Sequence, residues 1–244
     1  MQRRDALHAI TGLALGAIAG CTDAPHHFAS PTTAPPNPSR AAEAPLPGEV
    51  RHGPRDRPRV ALTFHGQGDP GLVTDLLDEL DRGGARVTVL AVGTWLAAQP
   101  ALGRRILAGG HELGNHTQHH ADIKTMKPEL AYAEITHCAG VIQGVSGSIG
   151  RWFRPSRTPH ATPMIQAAAR RAGYPTCLSY DVDPRDFTDP GASAIVTATL
   201  AAVRPGSIVS LHCGHQGTVS AIGPLLAGLR ARALQPVTTS ELFA

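Results

Sequence analysis

Short apolar runs and amphipathic stretches take turns along most of this chain, and that alternation restricts its fold more than any other feature. "RVALTF" (59–64), "RVTVLAV" (86–92), "TCLSYDV" (176–182) and "SIVSLH" (207–212) are brief and rich in β-branched residues, as buried strands are. Between and after them lie "GLVTDLLDELDRGG", "ALGRRILAGG", "PELAYAEITHCAGVIQG", "TPMIQAAARRAGY", "GASAIVTATLAAVRPG" and "TVSAIGPLLAGLRARA". These repeat apolar positions every three or four residues, and several stop at Gly, the pattern of amphipathic helices with glycine caps. Strand followed by helix, repeated, demands a parallel sheet covered by helices. The fold class is α/β; the pattern permits a small (β/α) barrel and also a doubly wound sheet.

Both architectures place chemistry at the carboxyl ends of the strands, so reactive residues should follow the apolar runs. They do: His65 follows "ALTF", His116 follows "ELGN", Arg154 follows "WF", Asp181, Asp183 and Asp186 follow "LSY", and His212 ends "IVSLH". In "HELGNHTQHH" (111–120), His116 and His120 are four residues apart. On a helical turn that spacing puts two imidazoles on one side, where they can grip one divalent ion. His119 sits at the neighbouring angle.

The first residues read as an address rather than as fold. "MQRRDALHAITGLALGAIAGC" has two arginines, an apolar stretch too short to span a bilayer permanently, and small residues before a cysteine. "IAGC" resembles the bacterial lipobox, which makes Cys21 the expected lipidation site; Arg3 and Arg4 point to twin-arginine export. Residues 1–21 are therefore expected to be an export signal and the protein an exported lipoprotein on the outer face of the cell membrane, touching it through the lipid anchor only. From 22 to 58 Pro, Ala, Ser and Thr prevail without apolar periodicity, so this segment is expected to be an extended tether and 59–244 the folded domain. A formal charge of +3 without a long basic run argues against a nucleic-acid partner, and a monomer is expected. Beyond Cys21 only Cys138, Cys177 and Cys213 remain, with no zinc-knuckle or redox spacing; Cys138 and Cys177 read as small buried hydrophobes.

"GNHTQHH" resembles the H-[ST]-x-x-H motif of the polysaccharide deacetylase family, also called the NodB-homology or carbohydrate esterase family four proteins. Four further stretches resemble that family's motifs in order: "VALTFHGQGDP" its "TFDDGP", "RWFRPSRTP" its "FRPPYG", "YDVDPRDF" its D-x-x-D-W, and "GSIVSLHCG" its "GSIILLHD". The resemblance implies a distorted (β/α)7 TIM-like barrel and a hydrolase that removes acetyl groups from an N-acetylated glycan of the cell envelope or environment. It also implies a divalent metal, zinc first among candidates, which polarises the amide carbonyl and activates water. Carried over by position, His116 and His120 become metal ligands and His212 the general acid. Arg154 would fix a carboxylate, Asp183 or Asp186 would hold His212, and Leu211 would line the acetyl pocket. Phe187 stands where the family has Trp and can stack on a sugar; Ser156 stands in the altered third motif as a substrate contact.

The first motif departs from the family. Its base Asp is His65 here and its metal-binding Asp is Gly66. Two imidazoles alone hold zinc poorly, since catalytic sites generally have three protein ligands. Three readings follow: His65 completes a three-histidine site; Asp69 reaches back as the third ligand while His65 serves as base; or the site is degraded and the groove binds glycan without turnover. Asp69 also suits a helix N-cap, because Asp-Pro opens "GLVTDLLDEL".

Overall fold

The computed structural model describes residues 46–244. The export signal, the lipidation site Cys21 and most of the tether lie outside the described residues. Among the described residues the strands are β1 (Glu49–Val50), β2 (Arg59–Gly66), β3 (Thr88–Ala91), β4 (Glu112–Asn115), β5 (Cys177–Leu178), β6 (Ile208–His212) and β7 (Gln235–Val237). The helices there are α1 (Pro70–Arg82), α2 (Gly93–Ala98), α3 (Pro100–Ala108), α4 (Pro128–Ser146), α5 (Pro163–Arg171), α6 (Ala192–Ala202), α7 (Gln216–Ala231) and α8 (Thr239–Leu242). Residues 46–58, expected to be tether, belong to the fold: β1 pairs with β5 in parallel and His52 bridges Ser207.

Parallel pairing runs β4-β3-β2-β6, with β7 also joined to β2. Single bridges carry the ring onward from Asn115 to Phe153, from Phe153 to Cys177, and from Val182 back to Val209. The result is the distorted (β/α) barrel expected from the motifs, in which one wall is made of isolated bridges rather than long strands.

Strand parity separates two of the three core clusters among the described residues. Val60, Leu62, Phe64, Val87, Val89, Ala91, Val209 and Leu211 pack outward against the helices in one cluster. Their neighbours Ala61, Leu90, Trp152, Leu178 and Ile208 fill the inside of the barrel in another. Helix α1 shows why the helices dock. Asp69 caps it, Pro70 occupies its first turn, and Val73, Leu76, Leu77 and Leu80 form one buried stripe. Burying each such side chain stabilises the fold by about 1.5–3 kcal/mol.

The same parity aims the polar residues. In the β2–β6 register, Ala61 faces Ile208, Thr63 faces Ser210, and His65 faces His212. Going up the barrel, an apolar layer gives way to a hydroxyl layer and then to a layer of imidazoles at the carboxyl ends. Leu211 has the opposite parity and is fully buried in the outer core, so it does not line the site as expected.

Candidate active site

Three histidines converge at this rim. Ring nitrogens of His65, His116 and His120 that could ligate one ion all lie within 4.8 Å of one another. His65 Nδ1 stands 2.7 Å from His116 Nε2, and the His116 and His120 rings are 4.9 Å apart between centroids. The pair 116/120 is not on a helix, contrary to the spacing argument. Asn115 Oδ1 accepts from the Thr117 N–H, an Asx turn that bends the chain away from helical geometry. Thr117 and His120 then adopt left-handed φ values of 68° and 54°, which bring the two rings together. The other end of the Asn115 amide donates to Ile135 O and Tyr174 Oη, tying the turn to α4 and to the core.

Asp69 is absent from this cluster. Its carboxylate accepts from the Gly71 and Leu72 N–H groups as the cap of α1, so it does not supply the third ligand. His65 does stand in that place. Gly66 points the other way: a Cβ there would lie 2.8 Å from Val89 Cγ1 and 2.9 Å from Ala91 Cα.

The imidazoles are kept neutral. Burial pushes His65 and His116 well below the usual histidine range, and the neighbouring imidazoles and the Arg154 guanidinium add to the effect. His120 is lowered by burial and then by Arg157 and His212. Neutral imidazole is the form that binds a cation.

Arg154 is fully buried, and it fixes no carboxylate among the described residues. Its Nη2 donates to Thr63 Oγ1 and Ser179 O, and its Nε to Leu178 O. The Tyr180 ring lies 5.3 Å from the guanidinium carbon. Burial lowers the group to about 9, so it is still a cation at neutral pH.

Asp186 takes the dyad role. Its Oδ1 lies 2.8 Å from His212 Nδ1, and its Oδ2 accepts from the His212 N–H and from Thr218 Oγ1. The carboxylate is wholly buried. Asp183 instead accepts from the Arg185 N–H in a turn, lining the groove without touching His212. Asp181 is structural, bound by Arg55, Ser207 Oγ and the Ile208 N–H. The imidazole of His212 stacks on that of His65 with centroids 4.2 Å apart.

His65, His120 and His212 open onto a cavity of about 460 Å³ that Tyr180, Phe187 and Ser210 also line. A second lobe of about 320 Å³ continues past His65, His120 and His212 to Gln67, Gly214 and His215. Phe187 is 44 % exposed and 5.2 Å from His212, free to stack on a ligand. Ser156 is not a groove residue. It is buried, donates to Ala121 O and accepts from Thr117 Oγ1, so it bolts the 116–120 turn in place. The free cysteines 138, 177 and 213 are all buried, with burial raising each thiol. Sequence reasoning passed over four site residues: Asn115, Thr218, Thr63 and Ser210. The last two were visible as hydroxyls at inward positions of apolar strands.

Fold and site together define a parallel (β/α)-barrel protein whose working groups stand at the carboxyl ends of its strands. The sequence matches the family model of polysaccharide deacetylase over residues 52–177. It is 37 % identical over 158 residues to a chitooligosaccharide deacetylase of Bradyrhizobium sp. (strain ANU 289), covering 64 % of this chain and 71 % of that one. A peptidoglycan-N-acetylglucosamine deacetylase of Bacillus cereus is 30 % identical over 200 residues, 78 % of this chain and 90 % of its own. In structure, the chain is similar to a peptidoglycan N-acetylglucosamine deacetylase crystallised with 4-naphthalen-1-yl-N-oxidanyl-benzamide, with a TM-score of 0.75 and 23 % identity over 80 % of this chain and 92 % of that one. The chain belongs to the polysaccharide deacetylase family.

Proposed function

We propose that this protein hydrolyses the acetamide of an N-acetylated sugar in a cell-envelope or environmental glycan, with a divalent ion held by His65, His116 and His120. The observation that carries the reading is the convergence of three neutral imidazoles with the Asp186–His212 pair at one groove. The donor set fits such an ion. Metal–nitrogen distances of about 2.0–2.1 Å put tetrahedral ligand atoms about 3.3 Å apart, and the cluster's spacings run from 2.7 Å to no more than 4.8 Å. Three imidazoles with an open position suit zinc among the common metals.

When bound, the ion supplies Lewis-acid polarisation of the acetamide carbonyl and a more acidic water. The chain's own residues supply the proton path. Both ring nitrogens of His65 are engaged, one with His116 and one with Ser210, so His65 is a ligand rather than the base. His212 has its Nδ1 held by Asp186, and its Nε2 has no partner among the described residues. His212 takes a proton from the attacking water at Nε2 and returns it to the amine nitrogen as the C–N bond breaks. Asp186 holds the ring in one orientation. Phe187 offers an apolar face to the sugar ring.

The test is acetate release by the purified protein from chito-oligosaccharides and from peptidoglycan fragments, with zinc added or chelated. Zinc-dependent release that is lost in His212→Ala is expected. Glycan binding without any acetate from the zinc-loaded protein overturns hydrolysis and leaves a binding protein. The reading also includes export and lipid attachment at Cys21, checked by labelling cells with a fatty acid and comparing Cys21→Ala.

A further inference from the structure

His65 occupies the place of a family aspartate, and an imidazole imposes a requirement that a carboxylate does not. A neutral imidazole carries one proton on one of its two nitrogens, so binding an ion through one nitrogen requires the proton on the other. The hydrogen bonds around the ring determine where that proton is. His116 Nδ1 lies 2.9 Å from Arg154 O, which can only accept, so His116 holds its proton at Nδ1 and presents an unprotonated Nε2. The 2.7 Å contact between His116 Nε2 and His65 Nδ1 then needs a hydrogen from His65. Without an ion, therefore, His65 is protonated at Nδ1. Its Nε2 is an acceptor, receiving the Ser210 hydroxyl at 3.0 Å and facing Arg154 Nη1 at 3.5 Å.

That tautomer cannot bind an ion through Nδ1, the nitrogen that faces His116. To bind, His65 must move its proton to Nε2, where the group beside it must now accept. Arg154 cannot accept, since a guanidinium has only donors. Ser210 can. A hydroxyl both donates and accepts, and this one is 99 % buried.

We propose that Ser210 is the positioning residue that makes His65 a metal ligand: its hydroxyl turns from donor to acceptor as the His65 proton moves from Nδ1 to Nε2 on ion capture. The ring keeps one proton throughout, so no proton is gained or lost in the exchange. This inference rests on the three-histidine ion site proposed above. It also accounts for a hydroxyl on β6 between the apolar residues Val209 and Leu211, at the inward position two residues before His212. Ligand orientation by a hydrogen bond to the remote imidazole nitrogen is a general feature of histidine metal sites, and losing it weakens binding by about 10–100-fold.

The test uses the full-length protein and zinc alone. Long-range proton–nitrogen NMR correlations report the tautomer of His65, and chelator competition reports zinc affinity. The expected results are an Nδ1–H tautomer in the metal-free protein and an Nε2–H tautomer in the zinc form. Ser210→Ala should bind zinc at least about tenfold more weakly with an unchanged circular-dichroism spectrum, and Ser210→Thr, which keeps the hydroxyl, should stay within about threefold of wild type. Zinc affinity in Ser210→Ala equal to wild type, or a His65 tautomer that does not change on loading, overturns the proposal. If Ser210→Ala does not fold, the tautomers of the wild-type protein decide alone. Wild-type protein that takes up no zinc sinks the ion site itself, whereas zinc loading without acetate release sinks only the hydrolytic reading.

Discussion

The first-motif resemblance implies Asp at position 66, and the structure predicts that Gly66→Asp does not complete an ion site. A side chain at 66 leaves the backbone on the outer face of the barrel wall, the face shared by Leu62 and Phe64, not the face of His65. Its Cβ would meet Val89 Cγ1 at 2.8 Å, Ala91 Cα at 2.9 Å and Leu90 O at 3.1 Å. Val89 can rotate, but two of these contacts are backbone atoms of the paired strand β3, and they can be relieved only by moving the strand. Overpacking of this kind costs about 1–3 kcal/mol, and an unpaired buried carboxylate adds about 3–5 kcal/mol.

For a domain of this size each kcal/mol lowers the melting temperature by about 2–4 °C. Gly66→Ala should therefore melt about 2–12 °C below wild type, and Gly66→Asp about 10–30 °C below it. Differential scanning calorimetry in metal-free buffer measures both, and zinc affinity by chelator competition should fall or stay level in Gly66→Asp. A Gly66→Asp protein that melts within a degree or two of wild type and binds zinc more tightly would refute the reasoning. It would mean that β2 turns its position 66 toward the ion and that glycine there is a simple deletion.

Asp186→Asn should lower kcat by about 10²–10⁴-fold while leaving zinc affinity unchanged, since Asp186 touches His212 and Thr218 but none of the three ligands; an equal loss of zinc in chelator competition would refute the division of labour. Asp69→Ala should cost about 1 kcal/mol in urea unfolding through the lost helix cap, again with unchanged zinc affinity, and a large drop in zinc binding would return Asp69 to the ligand set. His111 supplies a pH prediction away from the site. It is buried with Nε2 unpartnered, and burial first, then Arg105, lowers its pKa against the opposing pull of Asp81. The unfolded chain therefore binds this proton first as pH falls, so the stability His111 leaves intact above about pH 6.5 is lost on acidification through the lower folded-state value. His111→Gln should make the fall in urea stability between neutral and mildly acidic pH shallower, and an unchanged or steeper profile would contradict the assignment.

Helices α1 and α3 to α7 were legible because each has its own periodic stripe, and they fall where those signals put them, whereas α2 and α8 are too short to show one. Strands β2, β3 and β6 were legible as apolar runs, and β5 lies within a fourth, "TCLSYDV", of which Cys177–Leu178 pairs as a strand. Strands β4, β7 and β1 were hidden for separate physical reasons. Strand β4 is four residues inside a histidine motif, β7 contains Pro236, and β1 lies in a proline-rich stretch where only its pairing with β5 reveals it. In the site, the ordered motifs named His65, His116, His120, Asp186, His212 and Phe187, and the structure brings these side chains together at one end of the barrel. Periodicity failed at 116–120 because the Asn115 side chain competes with helical hydrogen bonding, which spacing alone does not register. Leu211 was misplaced by reading a motif without its strand parity: once His212 faces inward, its neighbour must face outward. Ser156 and Arg154 point to partners that only the three-dimensional path of the chain brings near them.

His65 belongs to a polar layer whose members depend on each other. Without a carboxylate at 65 or 66, the buried Arg154 cation needs other acceptors, and among the described residues Thr63 Oγ1 at 2.8 Å is the only side-chain oxygen it has. Thr63 in turn donates to Val209 O at 2.6 Å and lies in register with Ser210, which holds His65. Thr63→Val keeps the shape and removes the acceptor, so it should cost about 1.5–3 kcal/mol, the worth of a hydrogen bond to a charged group. Because Thr63 and Ser210 both bear on the space between Arg154 and His65, Thr63→Val and Ser210→Ala should couple by about 0.5–3 kcal/mol in a double-mutant cycle on urea stability of the metal-free protein. Strict additivity would show that Arg154 and His65 are supported independently. The serine and threonine would then be separate accommodations, with no common reason for standing opposite one another on adjacent strands.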